Sequence, residues 1–218
     1  MNGTIPKYMV ESDFDFASVV LGLHQEYIEL DLFNHGLAKF SAEDFEEAGL
    51  TAEDRAFIAF MATQEADHAT LLTNMLGEAA PRQCTYDYPF TTVREFIDFN
   101  VKLTRFGESG TWGFLSHLDS REVGTLLVQA VSIEARQQMA FRQMLGLHPM
   151  SVSFVPGEKA EVFIFTMPVL IFFKAFLNHG TGLCLPRTSP PARRTILALP
   201  GKTSQLSIFS TSPTPIGA

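Results

Sequence analysis

At 218 residues the chain is long enough to bury one domain core, and 46% hydrophobic against 18% charged residues excludes disorder along its whole length. A net charge of -8, a pI near 5.2 and the lack of a basic cluster before residue 193 exclude a nucleic-acid surface, which needs grouped Lys and Arg to release counterions. Two cysteines, Cys84 and Cys184, allow at most one disulfide and no Cys-x-x-Cys metal pair.

Residues 1 to 13 read as an N-terminal extension, and Met1 to Val10 carry no apolar run behind a basic region, so no secretory leader is expected within them. The Ser12-Asp13 pair is a capping signal, and the first long helix is expected from about Phe14 to Phe40, with Leu23, Leu30 and Phe33 on an apolar stripe. Ser41 with Asp44 opens a short acidic helix by the capping-box pattern. Thr51 with Asp54 repeats that pattern before a second long helix whose stripe runs Ile58, Met61, Glu65, His68, Leu72, Met75 and which Gly77 ends. After a proline-bearing loop to Phe90, a third helix is expected from about Thr92 to His117, with Ile97, Val101, Thr104, Glu108 and Leu115 on one side. A fourth is expected from about Arg121 to Leu145, with Leu127, Val131, Glu134, Gln138, Phe141 and Leu145 at helical spacing.

Four helices of about 25 residues are each about 37 Å long and match well enough to pack side by side. Short connections predict two antiparallel hairpins, and the loop from Gly77 to Phe90 predicts one long crossover between them. Residues 14–157 therefore read as an all-α antiparallel four-helix bundle.

Each long helix carries a glutamate inside its apolar stripe: Glu26 on the first, with Glu29 one turn on, then Glu65, Glu108 and Glu134. A carboxylate on a buried face is costly unless paired, hydrogen-bonded or metal-bound, so one per helix asks for a shared explanation. Two-metal carboxylate bundles use one Glu from each of two helices and a Glu-x-x-His from each of the other two, because positions i and i+3 point the same way. Glu65-Ala66-Asp67-His68 is such a motif. It is common by chance, and its place on the stripe is what gives it weight. The fourth helix departs from the pattern: Glu134-Ala135-Arg136-Gln137 has glutamine where a second histidine belongs, and a neutral oxygen ligand holds a second metal weakly. Glu26, Glu65, His68, Glu108 and Glu134 are thus the candidate ligands for Fe or Mn, with Glu29, Gln137 and Gln138 weaker ones. The bland alternatives are a solvated face for Glu26 and Glu29, an ion pair of Glu134 with Arg136 or Arg142, and surface or capping places for His24 and His117.

The runs SDFDFASVVLGLHQEYIELDLFNHGLAKFSAEDFEEAGLTAEDRAFIAFM, CTYDYPFTTVREFIDF, RFGESGTWGFLSHLDSR and IEARQQMAFRQMLGLHPM resemble the fungal ferritin-like domain proteins, a family that includes a nutrient-regulated stress-response protein. The resemblance covers Ser12 to Gly157. It implies a fungal source, a ferritin-like antiparallel four-helix bundle with one long crossover and a stress-associated role, with no established enzymatic reaction and so no catalytic residue to name. The EARQQM block is the family's usual form, so Gln137 is a family trait. Members commonly begin with a secretory signal upstream of the point matching Ile5-Pro6, which implies a secreted natural protein.

Residues 158–218 break with the rest, being first strongly apolar and then rich in Ser, Thr, Pro and Arg without period. A membrane span over 162 to 178 is disfavoured by its marginal length, Pro168 and Lys174. The segment reads instead as an irregular, poorly ordered tail translated from an unspliced intron and an out-of-frame exon. Gly157-Glu158-Lys159 can encode a splice-donor start and Phe172-Phe173-Lys174 a pyrimidine tract ending in an acceptor. The frame restored by removing the stretch between them resembles the family's own C-terminus, which leaves Cys184 outside the natural sequence.

Two readings of function follow. One is a ferritin-like stress-response protein binding one or two transition metals in its core and handling metal or oxidant. The other is a non-catalytic structural or interaction bundle whose carboxylates are hydrogen-bonded to Gln137, Gln138 and Tyr27 without metal. Neither requires nucleic acid or membrane; both admit a homo-oligomer, and the sequence names no partner protein.

Overall fold

The computed structural model describes residues 9–150 and 152–157, so the expectations for the N-terminal eight residues and for the segment after Gly157 fall outside the described residues. Within them the chain is all-helical: α1 Asp13–Lys39, α2 Ala42–Glu47, α3 Ala52–Leu76, α4 Val93–Leu115 and α5 Arg121–Met144. The boundaries expected from the sequence hold to within two residues, because the capping chemistry is local. Ser12, Ser41, Thr51, Thr92 and Ser120 each accept a hydrogen bond from the backbone N–H three residues on, and at Ser41, Thr51 and Thr92 the carboxylate of the acidic partner accepts one in turn from the cap residue's own N–H, completing a capping box. Gly77 stops α3 with φ +58°, a backbone that favours glycine, and a single 3-10 turn follows over Gly77–Ala79.

α1 packs along α3 and α4 along α5, and the two hairpins meet chiefly where α1 lies against α4. Gly36 of α1 touches the Phe96 ring at the start of α4, while Asp15 at the other end of α1 accepts from the backbone N–H groups of Asp119 and Ser120 beyond the end of α4. α1 and α4 are therefore antiparallel. Since α3 is antiparallel to α1 as well, α3 and α4 run the same way, and the chain between Leu76 and Val93 has to return along the whole bundle. That distance is about 35 Å, within reach of an extended loop of this length.

The crossover is tied to α1 as it passes. Gln83 donates to the Tyr27 carbonyl, Tyr27 to the Pro81 carbonyl, Tyr88 to the Ile28 carbonyl and the Asp31 carboxylate, and Lys39 to the Phe90 carbonyl. This covering corrects the expectation of a one-sided stripe on the first helix. From Asp15 to Glu29 only Ala17 and Tyr27 are even partly exposed, because helices take two sides of α1 and the crossover a third.

The core has two apolar halves. One gathers Leu32, Phe33, Phe45, Ile58, Phe96, Ile97 and Phe141, the other Val19, Leu23, Leu72, Phe114, Val123 and Leu127. Between them, at mid-height on all four long helices, lies a buried polar layer. No helix among the described residues is long and apolar enough to cross a membrane.

Candidate metal centre

The polar layer takes its side chains from positions where each helix switches from one apolar half to the other. α1 brings Glu26 and Glu29, α3 brings Glu65 and His68, α4 brings Glu108, and α5 brings Glu134, Gln137 and Gln138; all but His68 are buried, and His68 is nearly so. Glu26, Glu65, His68 and Glu134 each present a donor atom, and these four atoms lie within 4.8 Å of one another. The His68 Nδ1 sits 3.2 Å from Glu26 Oε2 and 3.2 Å from Glu65 Oε2, shared between a helix neighbour at i-3 and a carboxylate from α1. Gln137 Nε2 donates to Glu65 Oε1 and, at 3.2 Å, to Gln64 Oε1.

Charge is the governing problem of this layer. Burial pushes Glu26 well above the usual carboxylate range, the Glu134 charge pushes it further, and the hydrogen bond with His68 opposes both. Burial and the Glu65 charge raise Glu134 to about 8. Glu29 is raised by burial and then by Glu134, Glu65 and Glu26 in turn. Burial disfavours a charged His68, yet the hydrogen bonds and charges of Glu26 and Glu65 together outweigh it and raise His68 to about 11. Without a cation, then, His68 is driven to keep its proton between Glu26 and Glu65, while Glu29 and Glu134 are pushed toward their neutral forms. Several acceptors stay unmatched even so: Glu29 Oε1 and Oε2, Glu134 Oε2 and Gln137 Oε1 are buried without a hydrogen-bond partner. Unpaired buried oxygens beside an imidazole fit a borderline transition metal such as Fe, Mn or Zn, for which these are the ordinary ligand types.

The structure thus brings together four of the five principal ligand candidates. Glu108 stands apart from the four, buried but held by Arg105 at 3.3 Å, although its charge still reaches Glu134. That pair is an i, i+3 spacing on one helix and was legible in the sequence. Other expectations are corrected. Glu26 and Glu29 do not form a solvated face, since crossover and helices enclose α1. Glu134 has no ion pair with Arg136 or Arg142 among the described residues, and Arg142 donates instead to the His148 carbonyl. His24 is not a surface residue: it is 2% exposed, neither ring nitrogen has a partner, and burial lowers its pKa to about 4. His117 is exposed, edge-on to Phe14. Of the hydrogen-bond partners expected in a metal-free core only Gln137 meets a carboxylate. Gln138 donates to the Val101 carbonyl, and the Tyr27 hydroxyl faces Thr73 and Pro81.

Comparison with known proteins agrees with this architecture. A family model described as a ferritin-like domain matches residues 12–147. Protein rds1 of Schizosaccharomyces pombe is 54% identical over 156 residues, which are 72% of this chain and 39% of that relative, so the match spans about two fifths of the relative's length.

Proposed function

The chain is a member of the ferritin-like domain family, and from that premise we propose that its core binds transition metal through Glu26, Glu65, His68 and Glu134 and serves a stress response by handling metal or oxidant. One observation carries the reading: an imidazole and three carboxylates from three helices converge within 4.8 Å, the three carboxylates buried and the imidazole nearly so. When bound, an ion of this class supplies Lewis acidity and, for iron or manganese, one-electron chemistry. The chain's own part is to release the His68 proton, present the freed nitrogen and carboxylate oxygens, and exclude bulk water through the apolar halves above and below. The stress role rests on likeness to the fungal members of the family, as does secretion of the natural protein, for which a tagged copy should be recovered from the culture medium. The test of metal binding is elemental analysis of the protein purified from Fe-, Mn- and Zn-supplemented medium. Bound metal is expected in the parent, and His68→Ala should bind it at least about tenfold more weakly. A parent without metal would sink the proposal.

One observation favours a second reading, a structural bundle whose core carboxylates are hydrogen-bonded without metal: Gln137 already satisfies one oxygen of Glu65. In that case Glu65→Gln raises stability, since it removes a buried charge with nothing to gain from ionisation.

A further inference from the structure

Where α4 turns into α5 the surface opens into a groove of about 530 Å³, walled by Trp112 and Leu115 of α4, Leu118 of the turn and Val128 of α5. It shares no residue with the polar layer and lies at the end of the bundle that holds Phe114 and Val123. A volume of this size is in the range of sites that take a small organic molecule.

Gly124 also lines the groove. A glycine inside a helix weakens it relative to alanine, because its backbone has more freedom to lose. Nothing local asks for one here: its φ is not positive, and a Cβ built on it would meet Leu118 Cδ1 at 3.8 Å, an ordinary contact. Its one consequence is room in the groove.

The polar groups of the groove narrow what could use that room. Ser120 Oγ accepts from the Val123 N–H, and Thr125 Oγ1 donates to the Arg121 carbonyl, so both hydroxyls are engaged. The Arg121 guanidinium is in no ion pair among the described residues, although Asp119 and Glu122 stand beside it in the chain. What remains on offer is one cation, the Ser116 hydroxyl and apolar walls, of which Trp112 is 37% and Val128 41% exposed. A guanidinium suits a carboxylate, which it can hold with two N–H groups. An indole with aliphatic neighbours suits an alkyl chain. An extended peptide is disfavoured, because the groove has no row of donors and acceptors for its amides. The chain as a whole carries a net charge of -8, so an anion gains nothing from the general field and has to depend on Arg121 itself.

We propose that this groove binds a single-chain fatty acid as the free anion, its carboxylate on Arg121 and its alkyl chain in the space over Gly124 beside Trp112 and Val128. Trp112 is the single tryptophan of the chain, so its fluorescence reports on this groove alone. The full chain titrated with laurate below the micelle concentration should show a blue shift that saturates at one equivalent. Acetate, a head without a chain, and dodecyltrimethylammonium, a chain with the opposite head, should each bind at least about tenfold more weakly. Arg121→Gln should weaken laurate binding by about tenfold as well. Gly124→Leu fills the groove with a better helix former and should remove the shift, with helicity by circular dichroism no lower than in the parent.

A parent that does not respond to laurate overturns the proposal. So do equal affinity for the cationic amphiphile, an Arg121→Gln protein of parent affinity, and a folded Gly124→Leu protein that still binds. A response to phosphatidylglycerol vesicles without one to laurate would assign the groove to a membrane surface instead. A dimer in sedimentation whose Trp112 emission is already blue and unmoved by laurate would assign it to a second copy of the chain, and either result displaces the fatty acid.

Discussion

His24 and His68 sit on neighbouring helices and are driven in opposite directions, one by burial alone and the other by two carboxylates. The consequence for His24 can be isolated. Its pKa is about 4 in the folded chain against 6.5 as the ordinary value, so between these the unfolded chain binds more protons and stability is lost as pH falls from 6.5 toward 4. His24→Leu removes the imidazole from an apolar surround and should be more stable than the parent by an amount that grows over that window, to about 3 kcal/mol at its acid end. Urea midpoints of parent and variant at pH 6.5 and pH 4.5 measure it; a constant difference would mean that His24 is not held neutral.

At the scale of elements, two contacts set how the hairpins meet. Asp15, wholly buried near the start of α1, accepts from the backbone N–H groups of Asp119 at 2.8 Å and Ser120 at 3.0 Å, locking the α4–α5 turn to the first turn of α1. Asp15→Ala leaves both donors without their charged acceptor and should cost about 2–4 kcal/mol, read as a lowered urea midpoint with helicity unchanged. At the opposite end the Phe96 ring lies directly over Gly36, where an added Cβ would come within 2.2 Å of it. Phe96 is fully buried and cannot swing aside, so Gly36→Ala should destabilise by about 1–3 kcal/mol in the same measurement. A neutral outcome would show that the α1–α4 contact yields more readily than close packing permits.

For the whole molecule the polar layer couples stability to both pH and cations. Glu134 is raised from 4.5 to about 8 and His68 from 6.5 to about 11, so between pH 6.5 and pH 8 the folded chain holds more protons than the unfolded one at both groups. Stability of the metal-free protein should therefore fall as pH rises across that range. Cation binding displaces those protons, so the stabilisation by added Mn2+ should grow over the same range. Thermal midpoints at pH 6.5 and pH 8, with chelator and with Mn2+, check both signs together; a metal-free midpoint that rises with pH would contradict the charge state described for the layer.

The helices, their ends and the class of bundle are legible in the chain itself, because capping boxes at Ser41 and Thr51, the stop at Gly77 and a 3.6-residue apolar period are all local features. Glu65 with His68 could be picked out for the same reason, being one turn apart on one helix. What the sequence could not decide is which other carboxylates share that point in space. Glu26, Glu108 and Glu134 stand on the same footing as letters in a stripe. Helix rotation and the α1–α4 packing bring Glu26 and Glu134 to His68 and leave Glu108 to Arg105. The enclosure of α1 by the crossover is likewise tertiary, and it buries His24 and Glu29 where period alone allowed them a surface place. Periodicity fixes the direction of a side chain relative to its own helix axis; only the packed assembly fixes what it faces and whether water can reach it.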